Sequence, residues 1–240
     1  MASTSEIGHA KNVANFQDLI EFVTAYGATY NPSKNSLKLP QLIALKASAD
    51  ATLADVITKN TNYNNKVNER ITAFSGLKSL STRLVNALQT TDATTETIGN
   101  AKTFNRKMQG KKASSSQTPT DPNTPAPNTI STSQQSYDQL IQHLAGLTSI
   151  LEAETSYTPN ETDLQVATLQ TKIADLTAKN TAVATAYASI SNSRIARNET
   201  LYSSSTGLVE TANEVKKYIK SVFGASSPQF AQVKGIQFKI

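Results

Sequence analysis

The side chains able to do acid–base or nucleophilic chemistry are few and poorly placed for it. His9 and His143 are the only imidazoles, and a general base needs a nucleophile or orienting group within hydrogen-bond reach. His9 falls in an N-terminal arm, up to about Lys11, that precedes the first helical pattern. His143 takes the helix position that Phe22 holds in the first half of the chain. No Ser or Cys nucleophile motif accompanies either, so His143 reads as a histidine packed at a helix flank. There is no cysteine and no His-x-x-x-His or Glu-x-x-His spacing, which removes thiolate and paired-imidazole metal sites. Glu210 and Glu214 share a helix face, but Lys217 follows Glu214 at i+3, so a solvated ion-pair ladder is expected there. The nine glycines are scattered and form no phosphate loop. These patterns predict no enzyme activity, no cofactor and no metal.

Two asparagines stand out for a different reason. Asn60 and Asn180 occupy the same place in two related strings, Ala54-Asp-Val-Ile-Thr-Lys-Asn-Thr61 and Ala174-Asp-Leu-Thr-Ala-Lys-Asn-Thr181. An Asn pair in a helical seam lowers stability but fixes register and partner number. The pair is therefore expected to be buried and to set register, within the chain or across a subunit interface. Basic residues are the other candidates: Lys59, Lys66, Arg70, Arg194 and Arg197 fit one surface. Aromatic stacking partners for nucleic acid are lacking beside them, and a solvated helix face is the plainer expectation.

The elements that carry these residues are long amphipathic helices. Phe16, Leu19, Ile20, Val23 and Tyr26 mark a first helix from about Asn12 to Ala28, stopped by Gly27 and Tyr30-Asn-Pro32. Apolar steps of three and four then run from Leu42 through Leu45, Ala49, Leu53 and Val56 to Tyr63, Val67, Ile71, Phe74, Leu77, Leu80, Leu84 and Leu88. That is the seam of a bundle helix or coiled coil, with Ser75-Gly76 as its natural kink. A return helix follows from about Asp92 to Gln109, closed by Gly110.

The same plan recurs. Tyr137-Asp-Gln-Leu-Ile echoes Phe16-Gln-Asp-Leu-Ile, Tyr157-Thr-Pro159 echoes Tyr30-Asn-Pro32, and Thr206-Gly-Leu208 echoes Ser75-Gly-Leu77. Thr158-Pro-Asn-Glu161 has the form of a capping box with proline at the first helical position. Leu169, Ile173, Leu176, Val183, Tyr187 and Ile190 continue the second seam, with Leu201, Leu208, Val215, Ile219 and Val222 after them. Tyr30 and Tyr157 are expected to plug the two helix junctions. The expected organisation is a first helical module over 1–110, a Pro/Ser/Thr-rich linker over 111–133, a second module over 134–224 and an apolar, basic tail over 225–240.

With 38% hydrophobic residues and no tryptophan, the chain suits thin helical bundles better than a sheet sandwich. No stretch approaches the length of a membrane span and no signal peptide is evident, which gives the expectation of a soluble, cytoplasmic protein. A net charge of +5 permits anionic partners without demanding them.

The strings Ala10-Lys-Asn-Val-Ala-Asn-Phe16, Phe22-Val-Thr-Ala-Tyr-Gly27, Thr132-Ser-Gln-Gln-Ser-Tyr137 and Phe223-Gly-Ala-Ser-Ser-Pro-Gln-Phe230 resemble an uncharacterised family of duplicated helical proteins seen in Bacteroidota. The resemblance covers the whole chain and implies a bacterial, intracellular setting, with no activity or site attached.

The expected fold is an all-α, elongated antiparallel helical bundle of two tandem, pseudo-symmetric modules. The expected role is a non-enzymatic scaffold or interaction protein that self-assembles, as a homo-oligomer or filament, or docks on another protein in a larger bacterial structure. A weakly sequence-specific nucleic-acid-binding protein is the alternative, and a helical membrane-active protein comes third. In the tail, Phe230, Val233, Ile236 and Phe238 are apolar enough to dock on a neighbouring subunit or to pack back on their own bundle; the sequence leaves both open.

Overall fold

Gly, Pro and capping residues divide the apolar stripes into a series of helices. A computed structural model describes residues 6–110 and 135–239; the stretch expected to be a linker, 111–133, lies outside them. The helices are α1 (Glu6–Ala25), α2 (Leu39–Phe74), α3 (Leu77–Leu88), α4 (Thr95–Gln109), α5 (Tyr137–Ala153), α6 (Val166–Tyr202), α7 (Leu208–Phe223) and α8 (Pro228–Lys234). No strand occurs among the described residues.

Local chemistry accounts for most of the boundaries. The Thr94 hydroxyl accepts the Thr97 N–H at 3.2 Å and starts α4, so Thr94, and not Asp92, is the cap. Gly110 ends α4 in the left-handed region, at φ 74°. Ser136 caps α5, and Ser227 with Pro228 behind it caps α8. The expected kink at Ser75-Gly76 is a full break between α2 and α3.

Two boundaries differ from expectation. Helix α1 includes His9 among its described residues, because His9 and Asn12 are buried against polar partners and are not part of a frayed arm. The Thr158–Glu161 box does not form. The Tyr157 hydroxyl donates to the Leu164 carbonyl at 3.0 Å, Glu161 stays extended, and a 3-10 turn over Thr162–Leu164 delays α6 to Val166.

The chain divides into two compact units, Met1–Tyr63 with Ala186–Ile240, and Asn64–Thr185. These cut across the modules 1–110 and 134–224, since each unit takes segments from both halves of the sequence. In the first unit, Val13, Phe16, Leu19 and Val23 of α1 share a core with Leu208, Ala212, Val215 and Ile219 of α7. In the second, Leu77, Leu84 and Leu88 of α3 and Met108 of α4 share one with Leu144, Leu147 and Leu151 of α5. The division has a simple cause: a helix with one apolar stripe must bury it, and α7 offers α1 the matching stripe.

The seam positions are not all inside. Ile71, Tyr187 and Val222 lie at expected core steps yet are exposed. Tyr187 instead meets the ring of Tyr63 at 5.9 Å.

Candidate functional site

The first unit places its polar side chains around the C-terminal tail. Asn12 is buried on α1. Its amide nitrogen donates to the Lys239 carbonyl at 2.6 Å, and its amide oxygen accepts the Lys239 N–H at 3.0 Å. One turn on, Asn15 donates to the Gln237 carbonyl at 2.6 Å. Lys216 on α7 donates to the Ile236 carbonyl and lies 5.3 Å from the Phe238 ring, and burial pulls its pKa down. His9 and the Tyr202 hydroxyl share a hydrogen bond at 2.6 Å.

Of the four tail residues singled out in the sequence, Val233 is fully buried, and Phe230, Ile236 and Phe238 pack against the same core. The two readings of the tail are thereby separated. It packs in cis, because side-chain amides on α1 and the Lys216 amine satisfy its backbone, and it does not present its apolar face to a neighbour.

The matched asparagines part company. Asn60 is exposed on α2, so the expected buried register pair does not exist. Asn180 is half-buried: it accepts from Arg70 at 3.0 Å and donates to Asp138 at 2.8 Å. Arg70 in turn stacks 4.0 Å over the Tyr137 ring, and Tyr137 meets Phe74 edge-on. The same octapeptide thus serves two environments, because the helices that face it differ. Asn60→Ala should therefore stabilise the protein by about 0.5 kcal/mol through helix propensity, while Asn180→Ala should destabilise it by roughly 1–2 kcal/mol through the partners it strands. Urea midpoints of the two variants check this; equal losses would restore the register pair.

The cationic surface expected from Lys59, Lys66, Arg70, Arg194 and Arg197 dissolves on inspection. Arg197 is buried and bonded to Asn198, Arg70 is engaged as described, and Lys66 pairs with Glu69 at 2.8 Å. Arg194 remains exposed. Glu214 does not form its ladder with Lys217; Lys34 reaches it instead, at 2.6 Å.

The two tyrosine corners were expected as plugs and are both buried. The Tyr30 hydroxyl donates to the Leu37 carbonyl at 2.7 Å, seven residues on, as Tyr157 does to Leu164. Burial pushes the Tyr30 phenol well up, helped by Tyr218. Burial and the nearby Glu161 and Asp163 charges push Tyr157 up to about 12. Beside each corner sits an ion pair: Lys34–Glu214 in the first unit, and Arg83–Asp163 in the second. The Arg83 hydrogen bonds hold the Asp163 carboxyl below its usual range.

These phenols fix a pH dependence. Above about pH 10 the unfolded chain loses tyrosine protons that the folded chain keeps. The unfolded state then binds fewer protons, and stability is lost as pH rises through 10 to 12. Unfolding midpoints between pH 8 and 11.5 should fall, and Tyr30→Phe with Tyr157→Phe should flatten the fall. An unchanged slope in the double variant contradicts the assignment.

The second unit also has two hollows that the sequence did not signal. A groove of about 610 Å³ is lined by Asn65, Asn68, Glu69, Thr72, Asp175 and Lys179. Its charges are matched to one another, with Lys179 3.8 Å from both Glu69 and Asp175. A cleft of about 350 Å³ between two turns carries Thr90, Thr91, Asp92, Ser156, Thr158 and Glu161. No group of three or more metal-binding side chains is assembled among the described residues. Among them, too, no helix is long and apolar enough to cross a membrane.

The arrangement is thus one of helical surfaces closed by polar clasps and ion pairs. No family model, no curated protein and no solved structure matches the chain.

Proposed function

We propose that this chain is a non-enzymatic helical scaffold that works by associating with further copies of itself. One observation carries the reading: each compact unit has a core built by both halves of the sequence. A half that separates from its partner exposes an apolar face whose match is the other half, whether from the same chain or from another. Closed dimers form if the operation relating copies is two-fold, and filaments form if it is not.

The finer architecture in this reading is a pair of pseudo-symmetric halves, the product of an internal duplication, packed as antiparallel helical bundles. The two corners support it, with one hydroxyl-to-carbonyl bond across seven residues repeated at an offset of 127 positions. The nucleic-acid alternative loses support from the engagement of Arg70, Lys66 and Arg197. Light scattering across a concentration series, on protein refolded from denaturant at each concentration, tests the proposal. Mass rising above 25.8 kDa is the expected result, and a strict monomer at the highest concentration overturns it.

A further inference from the structure

Each corner ion pair joins a residue from one half of the sequence to a residue from the other. In the first unit, Lys34 follows α1 and Glu214 lies on α7. In the second, Asp163 precedes α6 and Arg83 lies on α3. The offsets of the repeat make these positions comparable. Position 34 corresponds to 161 at an offset of 127, and position 83 corresponds to 214 at an offset of 131. The first half therefore carries cations at both places, Lys34 in its corner and Arg83 on its return helix. The second half carries anions at both, Glu161 with Asp163 in its corner and Glu214 on its return helix. Glu161 adds to the field at Arg83 along with Asp163.

This sign pattern excludes one kind of pairing and favours another. A first half that closes on itself, or on another first half, sets Lys34 against Arg83. A second half that does so sets Asp163 and Glu161 against Glu214. Only a first half with a second half gives opposite charges at both corners. Like charges disfavour a contact as much as opposite charges favour it, so the corners select the partner half while leaving open which molecule supplies it.

The connection between halves does not close that choice. Gln135 lies against the end of α4, where its amide donates to the Lys107 carbonyl at 2.6 Å. Residues 111–134 span from Gly110 to that point, and such a stretch can reach roughly 80 Å when extended. A link of that reach does not restrict a first half to the second half of its own chain.

We propose that two copies of this chain pair by exchanging halves, each first half closing on the partner's second half through the Lys34–Glu214 and Arg83–Asp163 corners. The inference rests on the self-association proposed above and names its surface. Both contacts are those already made within one chain, so no new interface is required.

The test uses two full-length variants of opposite design. The first carries Lys34→Glu and Arg83→Asp; the second carries Asp163→Arg and Glu214→Lys. Each alone sets like charges at both corners. When the two are unfolded together and refolded by dilution at low salt, exchange restores opposite charges at all four corners of a heterodimer. With one variant isotopically labelled, native mass spectrometry should show the heterodimer enriched about tenfold over the statistical mixture. The enrichment should fade at high salt. The variant with all four substitutions should refold alone and behave like the parent, which guards against a variant that simply fails to fold. Dimers in statistical proportions, with the four-substitution variant folded, overturn the exchange and leave self-association standing. Monomers in every sample, parent included, overturn both.

Discussion

Expressed apart, residues 1–110 and 135–240 should each lack a cooperative unfolding transition and regain one when mixed. The second unit makes the reason concrete. Its C-terminal contribution buries Leu144, Leu147, Leu151, Leu164, Leu169 and Leu176 against Leu77, Leu84, Leu88 and Met108 from the other half. A buried leucine contributes about 1.5–3 kcal/mol, so losing half the burial of six removes roughly 5–9 kcal/mol. That is comparable with the whole stability of an ordinary domain, about 5–15 kcal/mol. The first unit suffers likewise, because α1 loses α7 and the tail loses the amides of Asn12 and Asn15. Thermal melts followed by circular dichroism, for each piece and for the mixture, check the expectation. Two cooperatively folded, non-interacting pieces would sink the shared cores, and the proposed function with them.

The second large effect separates two glycines that the sequence treats alike. Gly76 and Gly207 both break a long helix, in the matching strings Ser75-Gly-Leu77 and Thr206-Gly-Leu208. At Gly207 an added Cβ would lie 2.5 Å from the Ser203 nitrogen and 2.6 Å from its carbonyl oxygen. Those are backbone atoms, pinned in part by the Gly207 N–H donating to that same carbonyl at 2.9 Å. The turn between α6 and α7 has to open to admit a methyl group. Gly207→Ala should cost about 2–3 kcal/mol, or roughly 5–10 °C in Tm for a chain of this size.

Gly76 has ordinary helical dihedrals and nothing within 4 Å of the same position. Gly76→Ala should therefore be stabilising by about 0.5–1 kcal/mol, since it only restricts the unfolded chain. Opposite shifts of Tm in the two variants are expected. A loss of several degrees in Gly76→Ala would show that its break is as tightly packed as the other.

Signals that act over one or two turns were legible in the amino acids. The stripe through Leu42, Ala49 and Val56 identified a helix with one buried face, and Ser75-Gly76, Gly110 and Gly224 marked ends, because period, caps and stop residues depend on neighbours a few positions away. The tyrosine corners were visible for the same reason, as one motif repeated. The capping box at Thr158–Glu161 misled because a nonlocal bond, Tyr157 to Leu164, competed with it and won.

What the tertiary structure alone decided is which face meets which. An apolar stripe states that a helix must be covered and carries no address for the cover, so the cores shared between α1 and α7 and between α3, α4 and α5 could not be read from spacing. Asn60 and Asn180 carry the same local sequence, yet one is exposed while the other bridges Arg70 and Asp138, since burial belongs to the surroundings of a residue. Glu214 had Lys217 within one turn and pairs with Lys34, 180 positions away, because the fold brings Lys34 to it. Sequence periodicity determines the helices and their apolar faces; the contacts that give those faces partners, and the charges that select among partners, exist only once the chain is folded.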